Sequence, residues 1–337
     1  IAFTTKGLEQ VALEEIQSVC LDAEILEVKD KRILFETDST TKDLISFRTV
    51  DDIGLLITQL SNVRDSEDLI KKLGALDLES HRKQIGKVRL LDANSFSLTI
   101  GLSATEKIKA ADLTEQISKI IAEKYKWIFT EFDHSGFDIR IFGDHQEFYI
   151  SIRLTKNRLH HRSYKTVSKE GSLRPTVAAA MVQLVTKNKK DLKVVDNFCG
   201  SGTILCEAVI MGHQIFGGDI DQESIFITKQ NLTGLGYDPE QAIKPLNATA
   251  TNWPDHTFDC AISNLPWDKQ IQVTSITNLY QGTLEEYQRI LKTDGKLCLL
   301  VSKPELLIKH AKQYFPDREI KTYPIGLLGQ NPTIVII

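Results

Sequence analysis

Short apolar strands alternate with amphipathic helices along the second half of the chain, and this alternation restricts the fold more than any other feature of the sequence. Strands are predicted at residues 193–196, 214–219, 258–263, 296–301 and 333–337. Helices are predicted at residues 177–185, 203–211, 222–232, 283–291 and 305–314. Repeated strand–helix units predict an α/β fold with a doubly wound, mostly parallel sheet.

The first 150 residues follow a different pattern, in which helices and strands are mixed. Apolar residues at helical spacing predict helices at 11–19, 40–60, 69–73 and 110–125. Runs with strand character occur at 32–37, 95–100, 138–142 and 147–152. Residues 143–146 suit the hairpin between the last two strands. We therefore predict an α+β region of about 150 residues ahead of the α/β region.

The formal charge of −4 over 337 residues argues, as an average, against a protein that binds nucleic acid. The charge is unevenly distributed, however, since residues 151–190 carry +9 and the rest of the chain carries −13. Such a basic stretch suits local, salt-dependent contacts with phosphates, although a solvated linker has the same composition. His160 and His161 within it have no evident third ligand, so we predict no metal site there.

The five cysteines are scattered and form no CxxC pair, which disfavours a disulfide framework and a zinc finger and favours buried free thiols. No apolar run reaches the ~18 residues that a membrane-spanning helix needs. The first residues do not have the pattern of a signal peptide. We therefore expect a cytoplasmic protein without a membrane partner.

A glycine turn follows the first strand of the α/β region. Residues 196–203 read DNFCGSGT, and the next strand ends in Asp219, 19 residues after Gly200. Glycines at this place let the backbone approach a ligand, and an acid at the next strand end can accept both hydroxyls of a ribose. Because the third glycine of a dinucleotide fingerprint is missing, a nucleoside cofactor is the better interpretation. Asp221 is predicted to be the N-cap of the next helix.

The strand at 258–263 leads into Asn264-Leu265-Pro266-Trp267, a combination that suits methylation of an exocyclic amino group on a base. The Asn264 side-chain oxygen and the Leu265 carbonyl could each accept one N–H and so orient the amine. Pro266 would fix the direction of that carbonyl, and Trp267 would stack on a base displaced from its helix. Catalysis would then come from positioning and electrostatics without a strong base. In isolation, the same residues would also suit an ordinary turn beside a core tryptophan.

Residues 172–337 resemble the class I S-adenosylmethionine-dependent methyltransferases that bear an (Asp/Asn)-Pro-Pro-(Tyr/Phe/Trp) motif. The resemblance rests on DNFCGSGT at 196–203, NLPW at 264–267 and SLRPT at 172–176. The whole chain resembles the THUMP-domain RNA guanine-N2 methyltransferases, whose N-terminal ferredoxin-like domain begins with a segment similar to TTKGLEQVALEEI at 4–16. The resemblance implies a Rossmann-like, seven-stranded sheet preceded by an α+β ferredoxin-like and THUMP region that binds RNA.

The resemblance also implies which residues bind S-adenosyl-L-methionine: Thr176, Asp196, Phe198, Cys199, Gly200, Gly202, Thr203, Asp219, Ile220, Asn247 and Ala248. Asn247 replaces the usual aspartate of the family and can still accept a hydrogen bond from the adenine amino group. Leu265 replaces the first proline of the catalytic motif, where only a backbone carbonyl is needed. RNA contacts are expected from the basic stretch, at Arg153, Lys156, Arg158, Arg162 and Lys165.

Four parts are expected: a ferredoxin-like part (1–50), a THUMP RNA-binding domain (51–155), a basic linker (156–175) and the methyltransferase domain (176–337). The expected activity is methylation of guanosine N2 in structured RNA, with the tRNA acceptor stem as the first expectation and 23S rRNA as the second. A DNA adenine or cytosine amino-methyltransferase and a non-catalytic RNA-binding scaffold are the alternatives. Some family members need a small zinc-containing activator subunit, and the sequence does not show whether this protein needs one.

Overall fold

A computed structural model describes residues 1–91, 94–103, 110–130, 136–144, 146–267, 276–327 and 329–337. The strands described in the N-terminal half are β1 (Ala2–Thr4), β2 (Glu24–Lys29), β3 (Arg32–Glu36), β4 (Val50–Leu60), β5 (Ser95–Leu102), β6 (Ile128–Phe129), β7 (Phe137–Asp144) and β8 (Glu147–Arg153). The helices described there are α1 (Glu9–Val19), α2 (Thr41–Leu44), α3 (Ser66–Gly74), α4 (Leu78–Gly86) and α5 (Ala110–Tyr125).

These strands form one sheet in the order β2-β3-β1-β4-β8-β7-β5-β6. Most neighbours are antiparallel, and β5 runs parallel to both β6 and β7. The predicted α+β architecture is confirmed, and β7 and β8 pair as the predicted hairpin, although His145 lies outside the described residues. The helix predicted at 40–60 is wrong beyond Leu44. Its second half is β4, which pairs with β1 through residues 50–53 and with β8 through residues 54–60.

The strands described in the C-terminal half are β9 (Lys193–Asp196), β10 (Gln214–Asp219), β11 (Ile243–Pro245), β12 (Phe258–Asn264), β13 (Leu291–Val301), β14 (Lys321–Pro324) and β15 (Thr333–Ile336). The helices are α6 (Pro175–Thr186), α7 (Thr203–Ile210), α8 (Gln222–Thr233), α9 (Ile276–Ile290) and α10 (Pro304–Tyr314). The strand order is β11-β10-β9-β12-β13-β15-β14, and β15 runs antiparallel to both of its neighbours. The predicted doubly wound, mostly parallel, seven-stranded sheet is therefore confirmed.

Helices cover both faces of this second sheet. Val194 and Val195 follow each other in β9 but belong to different core clusters, because side chains alternate across a strand. The cluster around Val194 includes apolar residues of α6, α7 and α8, whereas the cluster around Val195 includes those of α9 and α10. Two helices begin at residues that favour helix N-termini. Pro175 is the first residue of α6, and Asp221 is the predicted N-cap of α8, where it accepts a hydrogen bond from Ser224 N at 3.0 Å.

The two halves pack directly against each other. Leu8 and Val11 of the N-terminal segment belong to the same core cluster as α6. Gly7 has a φ of +88°, and a Cβ at this position would lie 2.1 Å from the carbonyl oxygen of Pro324, so the close approach requires glycine. The amide of Gly326 then donates to the carbonyl oxygen of Lys6 at 3.0 Å. Apolar packing and backbone hydrogen bonds thus fix the start of the chain on the second sheet.

The five cysteines are buried and unpaired, which confirms the expected free thiols. None of the helices in the described ranges is both long and apolar enough to cross a membrane. The domain boundaries given above stay predictions. The one after residue 50 falls at the beginning of β4, a strand that lies in the middle of the first sheet.

Candidate active site

The turn between β9 and α7 needs two glycines for different reasons. Gly200 has a φ of +52° and Gly202 a φ of +76°, a region that L side chains rarely adopt. A Cβ on Gly202 would lie 2.9 Å from Cγ2 of Thr228, whereas a Cβ on Gly200 would meet nothing within 4 Å. Oδ2 of Asp219 accepts a hydrogen bond from Gly200 N at 2.9 Å and fixes the turn. Gly202 therefore serves close packing, while Gly200 faces open space.

A cleft of about 470 Å³ opens beside this turn, at the carboxyl ends of β9, β10 and β12. The sheet order reverses at β9, and ligands of doubly wound sheets bind at such a reversal. Six of the predicted cofactor-binding residues line this cofactor cleft: Phe198, Gly200, Asp219, Ile220, Asn247 and Ala248. Ile220 is 77% exposed and offers apolar surface to a ligand. The Asn247 side-chain oxygen already accepts hydrogen bonds from the amide and hydroxyl of Thr249.

The other five predicted cofactor-binding residues do not line the cofactor cleft. The buried Asp196 carboxylate accepts hydrogen bonds from Ser263 Oγ at 2.6 Å and from Phe198 N at 3.0 Å, and burial raises its pKa to about 7. The Thr176 hydroxyl donates to Oδ1 of Asp51 at 2.5 Å. Three further residues lie in or behind the glycine turn: Cys199, Gly202 and Thr203. The structure places all five within or behind the walls of the site, and their direct contact with the cofactor stays a prediction.

β12 ends at Asn264, which lines both the cofactor cleft and a second cleft of about 370 Å³. Its Oδ1 is buried and has no hydrogen-bond partner among the described residues, although buried polar atoms are normally paired. The amide of Leu265 donates to the carbonyl oxygen of Leu300 at 3.0 Å and ties the loop to β13. Leu265 and Pro266 line the cofactor cleft beside Asn264. An acceptor without a partner is thus fixed at the junction of two clefts.

The second cleft, called here the substrate cleft, has walls from the basic stretch, from the segment before α6 and from the catalytic motif. Its lining includes His160, His161, Arg162, Lys165, Arg174, Asn264 and Trp267. Trp267 is only 9% exposed, so most of its ring packs in the core and a small part faces the cleft. Its Nε1 has no hydrogen-bond partner within the described ranges. The chain directly after Trp267, including Asp268 of the predicted motif, lies outside those ranges.

The expected RNA contact by Arg153 is wrong. Its side chain is 6% exposed and forms ion pairs with Asp52 at 3.0 Å and with Asp138 at 2.5 Å. The guanidinium is therefore buried and neutralised within the N-terminal half. Lys156 is exposed and Arg158 is half-buried. Of the five predicted RNA-binding residues, Lys156 is the one that is exposed.

Arg162 and Lys165 line the substrate cleft, but neighbouring oxygen atoms offset part of their positive charge. The Arg162 Nε lies 3.4 Å from Oε1 of Glu207, and its Nη2 donates to the carbonyl oxygen of Arg48 at 2.7 Å. The Lys165 Nζ donates to the carbonyl oxygen of Leu173 at 2.6 Å, and burial lowers its pKa to about 8. The +9 charge of the basic stretch therefore overstates the positive charge that the folded protein presents.

Two buried carboxylates that the sequence reasoning missed hold the substrate cleft to the N-terminal half. Asp51 of β4 accepts hydrogen bonds from Thr5, from Thr176 and, as an ion pair at 3.0 Å, from Arg174. Glu207 of α7 is fully buried among partners from both halves. The two consecutive acids at 51–52 lie between apolar residues. This pattern indicates buried carboxylates, which need hydrogen-bond or ion-pair partners.

Comparison with known proteins agrees with this geometry. Residues 162–327 match the RMKL-like methyltransferase domain. The chain is 22% identical over 343 residues to the tRNA (guanine(6)-N2)-methyltransferase of Thermus thermophilus, an alignment that covers 100% of this chain and 98% of that relative. It is 25% identical to YpsC of Bacillus subtilis over 65% of this chain, and 28% identical to the human U6 snRNA (guanine-N(2))-methyltransferase THUMPD2 over 46%. The chain spans only 55% and 30% of the lengths of these last two relatives.

Solved structures share the fold over nearly the entire chain. TrmN from Thermus thermophilus superposes with a TM-score of 0.79 at 19% identity, over 99% of this chain and 97% of that one. SMU.472, whose crystal structure contains SAH, superposes with a TM-score of 0.75 at 18% identity, over 100% of this chain and 96% of that one. The expected fold of both halves is thereby confirmed. Residues 162–327 of this chain are thus similar in sequence to the RMKL-like methyltransferase domain.

Proposed function

We propose that the protein transfers the methyl group of S-adenosyl-L-methionine to the exocyclic N2 of a guanosine in structured RNA. The observation that carries the proposal is the junction at Asn264, whose side-chain oxygen has no partner among the described residues and whose side chain lines both clefts. One cleft can hold a methyl donor and the other a base, with the acceptor at their meeting point. The methyltransferase family of residues 162–327 supports methyl transfer. The Thermus thermophilus relative, aligned over the whole chain, supports guanine N2.

The cofactor cleft has the donor set that a nucleoside cofactor needs. Asp219 lies at a strand end, and each of its carboxylate oxygens accepts one backbone amide, which leaves a further lone pair on each for a ribose hydroxyl. Gly200 leaves room for a close backbone approach, and Ile220 and Ala248 supply apolar surface. S-adenosyl-L-methionine would supply an electrophilic methyl group there.

Each residue of the catalytic motif has a role that needs no strong base. The lone pair of a base amine is delocalised into the ring, so the amine must be oriented before it can attack. Asn264 Oδ1 and the Leu265 carbonyl would each accept one N–H and direct the lone pair toward the methyl group. Pro266 would hold the carbonyl direction by fixing φ, and the exposed part of Trp267 would contact the base. Fixed acceptors of this kind accelerate transfer through positioning and electrostatics.

The N-terminal half would dock the RNA and present one nucleotide to the substrate cleft, and Lys156 and Arg158 would contact phosphates of the RNA. tRNA is the first substrate proposed, because the relative aligned over the whole chain is named for tRNA. Ribosomal RNA is the second, since a relative from Photobacterium profundum is named for large-subunit rRNA. A small zinc-containing activator subunit belongs to this proposal as a partner whose need must be tested.

The test is a methylation assay with the purified protein, labelled S-adenosyl-L-methionine and total RNA from cells that lack this chain, followed by mass spectrometry of nucleosides. We expect N2-methylguanosine as the product, with tRNA as the labelled fraction. A product that is only N6-methyladenosine would overturn the choice of guanine, and label incorporated into DNA alone would overturn RNA as the substrate. An Asn264→Ala sample is the matched negative control.

A further inference from the structure

The surroundings of His160 determine which of its two ring nitrogens carries the hydrogen. Both the backbone amide of His160, at 3.1 Å, and its Nδ1, at 3.2 Å, approach the carbonyl oxygen of Asp51. A carbonyl oxygen can only accept, so Nδ1 must carry the hydrogen. In a neutral imidazole the other nitrogen, Nε2, is then an acceptor.

The imidazole is also neutral under ordinary conditions. Burial lowers the pKa of His160 to about 4, and the positive charges of His161 and Arg174 act in the same direction, against the opposing effect of Asp51. The ring packs edge-on against His161, with centroids 4.5 Å apart. No hydrogen bond to Nε2 occurs within the part of the chain that the structure describes. His160 therefore brings a lone pair without a partner to the substrate cleft that it lines.

His160 and Asn264 both line the substrate cleft, and each carries an acceptor, His160 Nε2 and Asn264 Oδ1, that has no partner among the described residues. Guanine has two neighbouring donors on its Watson–Crick edge, the N1–H and the 2-amino group. Adenine and cytosine place a ring-nitrogen acceptor beside their amino group at the corresponding position. Displaced bases are read through hydrogen bonds to this edge. A pair of acceptors therefore matches guanine and leaves either of the other bases with an acceptor facing an acceptor.

We propose that His160 accepts a hydrogen bond from guanine N1–H while Asn264 accepts one from the 2-amino group, so that His160 selects guanine among the bases that carry an exocyclic amine. This inference rests on the proposed function and adds the residue that determines base specificity. Asp51 is the positioning residue behind it, because its carbonyl oxygen fixes the orientation of the ring. A binding site built around a hydrogen bond discriminates against an analogue that lacks the matching group.

The test compares RNA carrying the target guanosine with the same RNA carrying 2-aminopurine ribonucleoside there. The analogue keeps the 2-amino group but has no N1–H. With wild-type protein we expect kcat/KM to be higher for guanine by roughly 10- to 100-fold, the effect of one unmade hydrogen bond in a buried site. His160→Ala should lower kcat/KM for guanine by a similar factor and change that for 2-aminopurine little, so the ratio approaches one. His160→Gln, which restores an acceptor, should recover part of the ratio.

Lys165→Met is the matched control, because it alters the same cleft without removing an acceptor. It should lower kcat/KM for both RNAs alike and keep the wild-type ratio. A wild-type protein that does not discriminate between the two RNAs overturns the inference without any variant. A wild-type ratio retained in His160→Ala overturns it as well. If wild-type protein makes no N2-methylguanosine, the proposed function fails instead, which is a separate outcome of the same assay.

Discussion

The cofactor cleft and the substrate cleft meet at Asn264, yet they are built in different ways. The cofactor cleft consists of loops that follow the strands of the second sheet and the segment before α6, all within residues 169–279. The substrate cleft uses walls that the N-terminal half holds in place, through Asp51 on Arg174 and through Arg48 on Glu207. A methyl donor can thus be bound by the methyltransferase fold alone. The proposed base site, in contrast, has walls that are held by contacts between the two halves.

Two consecutive carboxylates show this difference at the level of single residues. Asp51 and Asp52 are neighbours in β4, beside an irregularity in its register with β1, and their carboxylates have different partners. Asp51 holds Arg174 and Thr176 of the methyltransferase half. Asp52 pairs with Arg140 at 2.8 Å and with Arg153 at 3.0 Å, both within the N-terminal half. The same strand therefore shapes the substrate cleft with one residue and stabilises its own sheet with the next.

The largest effect is expected where the two clefts meet. Asn264→Ala removes the side-chain acceptor that orients the amine, so we expect kcat to fall by roughly 10²- to 10³-fold, as for loss of one positioned polar group in other active sites. Cofactor affinity, measured by calorimetry, should change little. A comparable loss of cofactor binding would show that Asn264 belongs to the cofactor cleft alone.

A change restricted to the cofactor cleft should separate the two sites. Asp219→Ala removes a carboxylate proposed to accept the ribose hydroxyls and also releases the amide of Gly200. We expect the Kd for S-adenosyl-L-methionine to rise by roughly 10- to 100-fold, since hydrogen bonds to a charged group contribute about 1.5–3 kcal/mol. RNA affinity, measured by filter binding, should stay at its wild-type value. Loss of RNA binding as well would mean that the clefts are not independent.

The contrast between the clefts also explains what the sequence could and could not predict. The glycine turn and Asp219 lie within 25 residues, in a strand–turn–helix unit whose geometry is local, so their place in the cofactor cleft was predictable. The partners of Asp51 lie 46, 123 and 125 residues away along the chain, and no local pattern indicates such contacts.

The same reasoning accounts for the errors at β4 and Arg153. The apolar side chains at positions 50, 53, 56, 57 and 60 also fit helical spacing, so periodicity did not identify the strand, and pairing with β1 and β8 decided the outcome. Arg153 was assigned by charge alone. Its partners Asp52 and Asp138 are distant in sequence, and their burial with it became visible only in the folded chain.

The carboxylate pair offers a test of how the N-terminal half acts on the substrate cleft. In Asp51→Asn the ion pair with Arg174 is lost and the cleft wall is held less firmly, so we expect kcat/KM for RNA to fall about 10-fold. Cofactor affinity and thermal stability should change little. Asp52→Asn is the matched control. It removes the carboxylate charge that Arg140 and Arg153 share and should lower the free energy of unfolding by about 3 kcal/mol while the folded fraction keeps its kcat. Equal effects of the two variants on catalysis would contradict the different roles assigned to Asp51 and Asp52.

The smallest effect is expected at the exposed Lys156 and the half-buried Arg158. Each phosphate contact releases counterions, so loss of contacts lowers the steepness with which RNA affinity falls with salt. Reversing both charges should raise the Kd for RNA several-fold and reduce the slope of log Kd against log salt by about one per lost contact. Lys312→Glu on α10 is the control, because that helix packs on the other face of the second sheet from α6 and the substrate cleft, and it should keep the wild-type slope. An unchanged slope in the Lys156 and Arg158 variant would assign these cations to a solvated linker. RNA would then be held by the N-terminal sheet, and the basic stretch would serve only to build the wall of the substrate cleft.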